Sequence, residues 1–161
     1  KWRIIAGELK GRKLISQAGS QVRPTADKVK EALFSMIMQD TPGAVVLDLF
    51  AGTGNLGLEA ISRGAERVYF GDISRESLKL TKQNIEICGA AERSICFLGD
   101  WEGVLGRIRE KLDIVFLDPP YGEEFLLSCI KKLRKLELLK PEGIIVTEHD
   151  SKRVLPDELY G

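Results

Sequence analysis

The stretch "VVLDLFAGTGNLGLEA", residues 45–60, is the strongest indication of the fold in the sequence. An apolar run reaches Asp48, the turn Gly52-Thr53-Gly54 follows, and a helix is expected to begin near Gly57. Glycines in such a turn let the backbone approach a ligand at the carboxyl end of a strand. The stretch therefore predicts a strand, a ligand-binding turn and a helix, in that order.

The same alternation continues to the end of the chain. We predict strands at "AVVLDLF" (44–50), "RVYFGD" (67–72), "SICFLGD" (94–100), "DIVFLD" (113–118) and "GIIVTEH" (143–149), with further helices beginning near Arg75, Trp101 and Glu123. The helix that begins near Arg75 has one face formed by Leu78, Thr81, Ile85 and Cys88. Near-continuous apolar runs are typical of parallel strands that are covered on both faces. Repeated βα units of this length predict an α/β fold with a doubly wound, mostly parallel sheet in residues 44–161.

Residues 1–40 are predicted to extend this sheet domain, so that residues 1–161 form a single domain. Trp2–Ala6 and Lys13–Ser16 flank the glycine-bounded turn Gly7–Gly11 and predict a small β-hairpin. Residues 23–40, "RPTADKVKEALFSMIMQD", predict a helix. Its buried face is expected to contain Val29, Ala32, Leu33, Met36 and Ile37.

The charges are unevenly distributed along the chain. The sequence has 24 Lys and Arg and 24 Asp and Glu, but residues 1–40 contain eight basic and four acidic residues. A basic N-terminal part on a mildly acidic remainder indicates that a polyanion contacts one face, although a solvated charged surface would give the same count.

Composition and cysteine usage predict a cytoplasmic protein. Apolar residues make up 43% of the chain and charged residues 30%, as in soluble globular proteins. No apolar run approaches the roughly 20 residues that span a bilayer, and no signal-peptide pattern is present. Cys88, Cys96 and Cys129 lie in apolar contexts without a C-x-x-C pair, so we expect reduced core thiols and no metal site.

Two cofactors compete for the glycine-rich turn. A dinucleotide would place its pyrophosphate at the N-terminus of the following helix, where the charge of Asp48 would repel it. Asp48 is better suited to the cationic amino-acid end of S-adenosylmethionine. Asp72 ends the next strand and is expected to accept hydrogen bonds from a ribose. Asp100 follows the third strand, and a helix cap is an equally good interpretation of it.

The motif "DPPY", residues 118–121, predicts the chemistry. Two prolines stiffen the exit from the fourth strand, leaving the Asp118 carboxylate and the Pro119 carbonyl as acceptors for the two N–H groups of an exocyclic amine. This arrangement would aim the nitrogen lone pair at a sulfonium methyl group. Tyr121 offers a face for base stacking, worth about 1–3 kcal/mol. The motif thus predicts methyl transfer to the amino group of a nucleic-acid base.

"DPPY" behind "DLFAGTG" resembles the amino-methyltransferases of nucleic-acid bases. The resemblance is narrower for "RIIAGELKGRKL" (3–14), "RPTADKVKEALFSMI" (23–37) and "VLDLFAGTGNLGLEAISRGA" (46–65), which are similar to the bacterial family that methylates guanine N2 in 16S ribosomal RNA. It implies a Rossmann-like class I fold, S-adenosylmethionine as cofactor and RNA of an assembling small subunit as partner. We expect a monomer that binds no membrane. The family pattern continues beyond Gly161, which leaves open whether the sheet has its last strand.

The resemblance also implies roles for individual residues. The methionine end of the cofactor would be lined by Asp48, Phe50, Gly52 and Gly54, the ribose held by Asp72, and the adenine contacted by Ile73 and Asp100. Asp118, Pro119 and Tyr121 would hold the target guanine, with Arg23 and Thr25 beside the pocket. RNA phosphates would be met by Arg3, Lys10, Arg12 and Lys13.

Three alternatives remain open at the level of the sequence. A DNA adenine-N6 methyltransferase would use the same motif, but no segment here is long enough for the usual target-recognition region. A ribosome-assembly module could bind the cofactor without turnover, and the intact Asp118 and Tyr121 argue against it. The basic N-terminal part argues against a small-molecule methyltransferase.

Overall fold

The computed structural model describes residues 3–16, 24–117, 123–147 and 152–154. The helices are α1 (Pro24–Met36), α2 (Asn55–Ser62), α3 (Arg75–Ile87), α4 (Trp101–Arg107) and α5 (Glu123–Lys135), with a short 3₁₀ helix at Ala91–Arg93. The strands are β1 (Val45–Leu49), β2 (Arg67–Asp72), β3 (Ser94–Leu98), β4 (Leu112–Leu117), β5 (Leu139–Thr147) and β6 (Lys152–Val154). The described strands form one sheet in the order β3-β2-β1-β4-β5-β6. Strands β1 to β5 are parallel, which confirms the α/β fold with a mostly parallel sheet.

The strands are apolar along their length because helices cover both faces of the sheet. Side chains such as Val46 and Phe70 pack with α1, α2, α3 and the N-terminal residues. Their neighbours in sequence, such as Leu47 and Tyr69, face α4 and α5. This arrangement removes the polar–apolar alternation of a one-sided sheet.

The chain changes direction across the sheet next to β1. Strand β1 pairs with β2 on one side and with β4 on the other. In open α/β sheets, ligands bind at the carboxyl ends of the strands that flank such a reversal. The fold therefore locates the candidate site at the ends of β1 and β4.

The predicted buried face of α1 is partly wrong. The buried residues are Lys30, Leu33, Phe34 and Ile37, whereas Ala32 and Met36 are exposed. The spacing is still that of one helix face. The expected face was displaced because a lysine, normally a surface residue, occupies the first buried position.

The N-terminal residues form a short hairpin that packs on α2. Arg3 and Lys13 make a single antiparallel bridge, and the N–H of Ile4 donates to the Arg12 carbonyl at 2.9 Å. The turn is anchored at Ser62, whose carbonyl accepts from the N–H of Glu8 at 2.9 Å. A hairpin was predicted, and the structure shows that helix α2 supports it.

The C-terminal part of the sheet differs from the prediction. Strand β5 begins at Leu139 and not at Gly143, and strand β6, which lies antiparallel to β5, was not predicted. Within the ranges that the structure describes, helices are too short or too polar to cross a membrane.

The thiols of Cys88 and Cys129 are free and buried as predicted, whereas Cys96 on the edge strand β3 is half-buried.

Candidate functional site

A carboxylate from β1 occupies the N-terminus of α2. Asp48 is only 3% exposed, and its Oδ2 accepts a hydrogen bond of 3.0 Å from the N–H of Gly57. This N–H belongs to the first turn of α2, where an anion is favoured by the helix dipole and the unpaired donors. The protein therefore supplies its own negative charge at the place where a dinucleotide fold binds pyrophosphate.

The turn between β1 and α2 has an unusual backbone. Phe50 has φ 70°, a left-handed conformation that costs a non-glycine residue about 1–3 kcal/mol. The N–H groups of Phe50 and Ala51 both donate to the Gly71 carbonyl at 3.0 Å. These bonds from β2 hold the strained turn in place. Conformations of this kind concentrate at ligand-binding sites.

Asp72 is oriented by two backbone donors. Its Oδ2 accepts from the N–H of Gly52 at 3.0 Å, and its Oδ1 accepts from the N–H of Ser74 at 2.8 Å. Each carboxylate oxygen has capacity for a second hydrogen bond, so Asp72 can still accept from two hydroxyl groups. This geometry fits the predicted ribose.

A groove of about 90 Å³ lies beside Asp72. It is lined by Leu49, Phe50, Gly71, Asp72, Ile73, Gly99, Asp100 and Trp101. Ile73 is 70% exposed, which is unusual for a large apolar residue and suits a flat ring lying against it. An acceptor for hydroxyls and an apolar surface thus adjoin the glycine turn, and these residues fit the adenosine part of S-adenosylmethionine.

Asp100 and Trp101 have structural partners. The Oδ1 atom of Asp100 caps α4 by accepting from the N–H of Gly103 at 2.7 Å. The Trp101 ring packs edge-on against Phe125 with 5.3 Å between centroids, and Phe50 lies 5.4 Å from the same ring. The structure thus confirms the helix-cap interpretation of Asp100, and the same residue also lines the groove.

Two polar residues of α3 hold the glycine turn from behind. The hydroxyl of Thr81 donates to the Gly52 carbonyl at 2.7 Å, and the amide of Asn84 donates to the Thr53 carbonyl at 2.8 Å. Both side chains are fully buried. Thr81 was predicted on the buried face of α3, but Asn84 was not predicted. Its signal was an amide three residues after Thr81, on the same face of the helix.

The residues predicted to hold the target base, Asp118, Pro119 and Tyr121, lie outside the described residues, as does Arg23. Strand β4 ends at Leu117, which pairs with Leu49 of β1. The backbone of Thr25 belongs to the first turn of α1.

The predicted RNA-binding residues are spread over the hairpin. Lys10 and Lys13 are exposed, and Arg3 is 62% exposed while it pairs with Asp27 at 3.7 Å. The bridge between Arg3 and Lys13 puts these two residues side by side. Arg12 differs, since its guanidinium donates to the Ile87 carbonyl at 2.8 Å and so caps the C-terminal end of α3.

A buried ion pair joins the hairpin, α1 and α2. It was not predicted from the sequence. The fully buried side chains of Lys30 and Glu59 lie 2.9 Å apart. Glu59 also accepts from the N–H groups of Ile5 at 2.8 Å and Ala6 at 3.1 Å, and it pairs with Arg63 at 2.8 Å. The position of Glu59 between apolar residues of α2 was the available signal.

Burial and pairing act on the two pKa values in different ways. Burial lowers the pKa of Lys30, although the charge of Glu59 opposes that effect. Burial alone would raise the pKa of Glu59, but the charge of Lys30 and the N–H of Ile5 outweigh it and hold that pKa below its usual range. Glu59 is therefore a stable anion around which the hairpin is fixed.

In the described ranges, no three His, Cys, Asp or Glu side chains gather as they would around a metal ion. The site's polar groups are carboxylates, backbone N–H groups and the α3 amide and hydroxyl.

Comparison with known proteins identifies the family. Residues 2–160 match a family model described as "Conserved hypothetical protein 95". YlbH of Bacillus subtilis, by name a candidate rRNA methyltransferase, is 38% identical over 158 residues, covering 96% of this chain and 86% of that protein. Ribosomal RNA small subunit methyltransferase D of Haemophilus influenzae is 34% identical over 160 residues, covering 96% and 83%.

A solved structure shows the same fold. The Escherichia coli protein yhhF, by name a candidate methyltransferase, superposes with a TM-score of 0.80 at 33% identity, covering 90% of this chain and 78% of that one. The match over residues 2–160 and the superposition show that the chain belongs to the family described as Conserved hypothetical protein 95, with a class I methyltransferase fold.

Proposed function

We propose that this protein transfers a methyl group from S-adenosylmethionine to the exocyclic N2 amino group of a guanine in small-subunit (16S) ribosomal RNA. The observation that carries the proposal is the buried Asp48 carboxylate at the N-terminus of α2. A negative charge there disfavours the pyrophosphate of a dinucleotide and favours a ligand with a cationic end. A relative named as a small-subunit ribosomal RNA methyltransferase supports the substrate class.

The cofactor would lie along the carboxyl ends of β1 to β3. Asp48, Phe50, Gly52 and Gly54 would surround its methionine end. Asp72 would accept from the ribose hydroxyls with its remaining lone pairs, and the adenine would lie between Ile73 and the Asp100–Trp101 side of the groove. When bound, S-adenosylmethionine supplies a methyl group on a positively charged sulfur.

The target base would enter beside β4. Asp118 and the Pro119 carbonyl would accept the two N–H groups of the guanine amine, and Tyr121 would stack on the base. Held in this way, the amine would direct its nitrogen lone pair at the methyl group that S-adenosylmethionine supplies. Transfer of that methyl group from sulfur to nitrogen would form one C–N bond and break one C–S bond, and the amine would lose a proton to solvent. The Asp118 carboxylate would stabilise the positive charge that builds on nitrogen.

The hairpin would contact RNA. Lys10, Lys13 and Arg3 present exposed cations, and the backbone bridge holds Arg3 and Lys13 next to each other. Arg12 would contribute less to RNA binding, because its guanidinium already caps α3. Arg23 and Thr25, which follow the hairpin in the sequence, would lie beside the pocket of the target base. A paired guanine hides its amino group, so the base must be flipped out or presented in a loop.

Substitution of Asp118 separates an enzyme from a module that binds the cofactor without turnover. Asp118→Ala should reduce methyl transfer to ribosomal RNA by about 100- to 1,000-fold, as expected for a group that stabilises transition-state charge. Binding of S-adenosylhomocysteine and of RNA should persist. Glu124→Ala removes an exposed carboxylate six residues further on, and it should change neither methyl transfer nor the binding of the two ligands. If Asp118→Ala methylates as fast as wild type, the proposed chemistry is wrong.

A further inference from the structure

Asn84 bonds simultaneously to the glycine turn and to the N-terminal hairpin segment. Its amide nitrogen donates to the Thr53 carbonyl at 2.8 Å and to the Ile15 carbonyl at 2.9 Å. Its amide oxygen accepts from the N–H of Ile15 at 2.7 Å. A fully buried side chain thus uses both donors and one acceptor to join two segments that are far apart in sequence.

Thr81, one helical turn earlier, provides a comparison within the same helix. Its hydroxyl donates to the Gly52 carbonyl at 2.7 Å, so it supports the same turn. The hydrogen bonds that reach the hairpin segment come from Asn84 and not from Thr81. Thr81 therefore supports the turn, whereas Asn84 supports the turn and also connects it to the hairpin segment.

The two segments have different proposed ligands. The turn that contains Gly52, Thr53 and Gly54 would hold the cofactor, and the segment that ends near Ile15 carries Lys10 and Lys13, which would meet RNA phosphates. Asn84 can satisfy all of its bonds only when Ile15 and Thr53 are both in place. An unpaired buried amide is costly, so ordering one segment favours ordering the other.

We propose that Asn84 is a positioning residue that couples RNA binding on the hairpin to cofactor binding in the glycine turn, so that each ligand strengthens the binding of the other. The inference rests on the proposed function. The coupling is positive, because a ligand that orders one segment reduces the conformational entropy that is lost when the second ligand orders the other segment. Reciprocity requires the same coupling factor whichever ligand binds first.

The coupling factor is the ratio of S-adenosylhomocysteine dissociation constants without and with small-subunit ribosomal RNA, measured by titration calorimetry. We expect at least about fivefold for the wild-type protein, within the usual range of coupling between sites. Asn84→Ala should bring the factor to within about twofold of unity, the level at which no coupling is measurable. Asn84→Asp keeps the size and one acceptor but neither donor, and should also lose the coupling.

Two variants control for effects unrelated to the connection. Thr81→Val should weaken S-adenosylhomocysteine binding about two- to tenfold, as expected for the loss of one hydrogen bond, and leave the coupling factor unchanged. Gln83→Ala removes an exposed amide next to Asn84 and should change neither quantity. A coupling factor in Asn84→Ala equal to that of wild type overturns the inference, as does a wild-type factor of one.

Hydrogen exchange of the Ile15 amide tests the connection without any substitution. This N–H is bonded to Asn84, so adding S-adenosylhomocysteine in the absence of RNA should slow its exchange. Unchanged exchange at saturating ligand contradicts the inference. Failure of wild-type protein to bind S-adenosylhomocysteine at all would instead contradict the proposed function.

Discussion

The carboxylate of Asp48 accepts a hydrogen bond of 3.0 Å from the backbone N–H of Gly57, and the side chain is 3% exposed. A strand residue thereby neutralises the first turn of the helix that follows it. Dinucleotide-binding folds use the corresponding turn to bind phosphate groups. Here the negative charge of Asp48 disfavours an anion at this turn and favours a cation.

Asp48→Asn should reduce affinity for S-adenosylmethionine without unfolding the turn. The amide oxygen can still accept from Gly57, but the negative charge is lost. Charged hydrogen bonds are worth about 1.5–3 kcal/mol, so calorimetry should show a loss of about tenfold or more. Asp113→Asn changes a carboxylate at the opposite end of the sheet, where it accepts from the N–H of Val45, and should leave affinity unchanged. Equal affinities of Asp48→Asn and wild type would remove Asp48 from the site.

The buried Lys30–Glu59 pair should show strong coupling in stability. Glu59→Gln leaves the Lys30 ammonium buried without its counter-ion and should lower the free energy of unfolding by about 3–5 kcal/mol. Adding Lys30→Met should recover a large part of that loss, because the buried charge disappears. Urea unfolding of the single and double variants measures the cycle. Glu8→Gln, in the exposed pair with Arg93, should cost less than about 1 kcal/mol.

The Lys30–Glu59 pair also explains why the buried face of α3 could be predicted from the sequence and that of α1 could not. The face of α3 was predicted correctly, because Leu78, Thr81, Ile85 and Cys88 repeat at helical spacing and are all buried. The face of α1 was not, because Lys30 is stabilised in the core by a glutamate 29 positions away. The local pattern around Lys30 does not show that its partner belongs to another helix, so the pairing could not be predicted from α1 alone.

The candidate site shows the same division. The meeting of Asp48, Asp72 and the glycines at one edge of the sheet could be predicted, because the carboxyl ends of parallel strands lie there. The hydrogen bonds of Asn84 could not, since the carbonyls of Thr53 and Ile15 come together only in the folded chain.

Gly57 should not tolerate a side chain. A Cβ atom there would lie 2.3 Å from Cε1 of Phe70 and 2.9 Å from Cγ1 of Val68, so α2 would have to move away from β2. Gly57→Ala should lower the free energy of unfolding by about 1–3 kcal/mol through overpacking. Gly106→Ala is the matched control in another helix, since its Cβ would meet nothing within 4 Å. Equal stabilities of the two variants would contradict the close helix–strand packing.

The thiols should react at very different rates. Burial, together with the nearby charge of Glu102, raises the pKa of Cys129 to about 12, and burial also raises the pKa values of Cys88 and Cys96. The order of labelling should therefore follow exposure: at pH 8 a thiol reagent should reach half-buried Cys96 first and the two buried thiols only after unfolding. Because the folded pKa of Cys129 exceeds the unfolded value, its contribution to stability is complete below pH 9 and is lost as the pH rises through 12.

A Cys96→Ser variant checks the assignment of the fast thiol. Native labelling at pH 8 should then be lost, while unfolded protein still labels Cys88 and Cys129. Rapid labelling of Cys129 in the native variant would contradict its burial in the core.

The identity of the methylated nucleoside tests the proposed methyl transfer. Small ribosomal subunits from cells that lack this protein would be incubated with it and labelled S-adenosylmethionine, beside naked ribosomal RNA and DNA, followed by mass spectrometry of the nucleosides. We expect N2-methylguanosine from the ribosomal RNA. N6-methyladenine from the DNA, or no label in any substrate despite measurable S-adenosylhomocysteine binding, would contradict it.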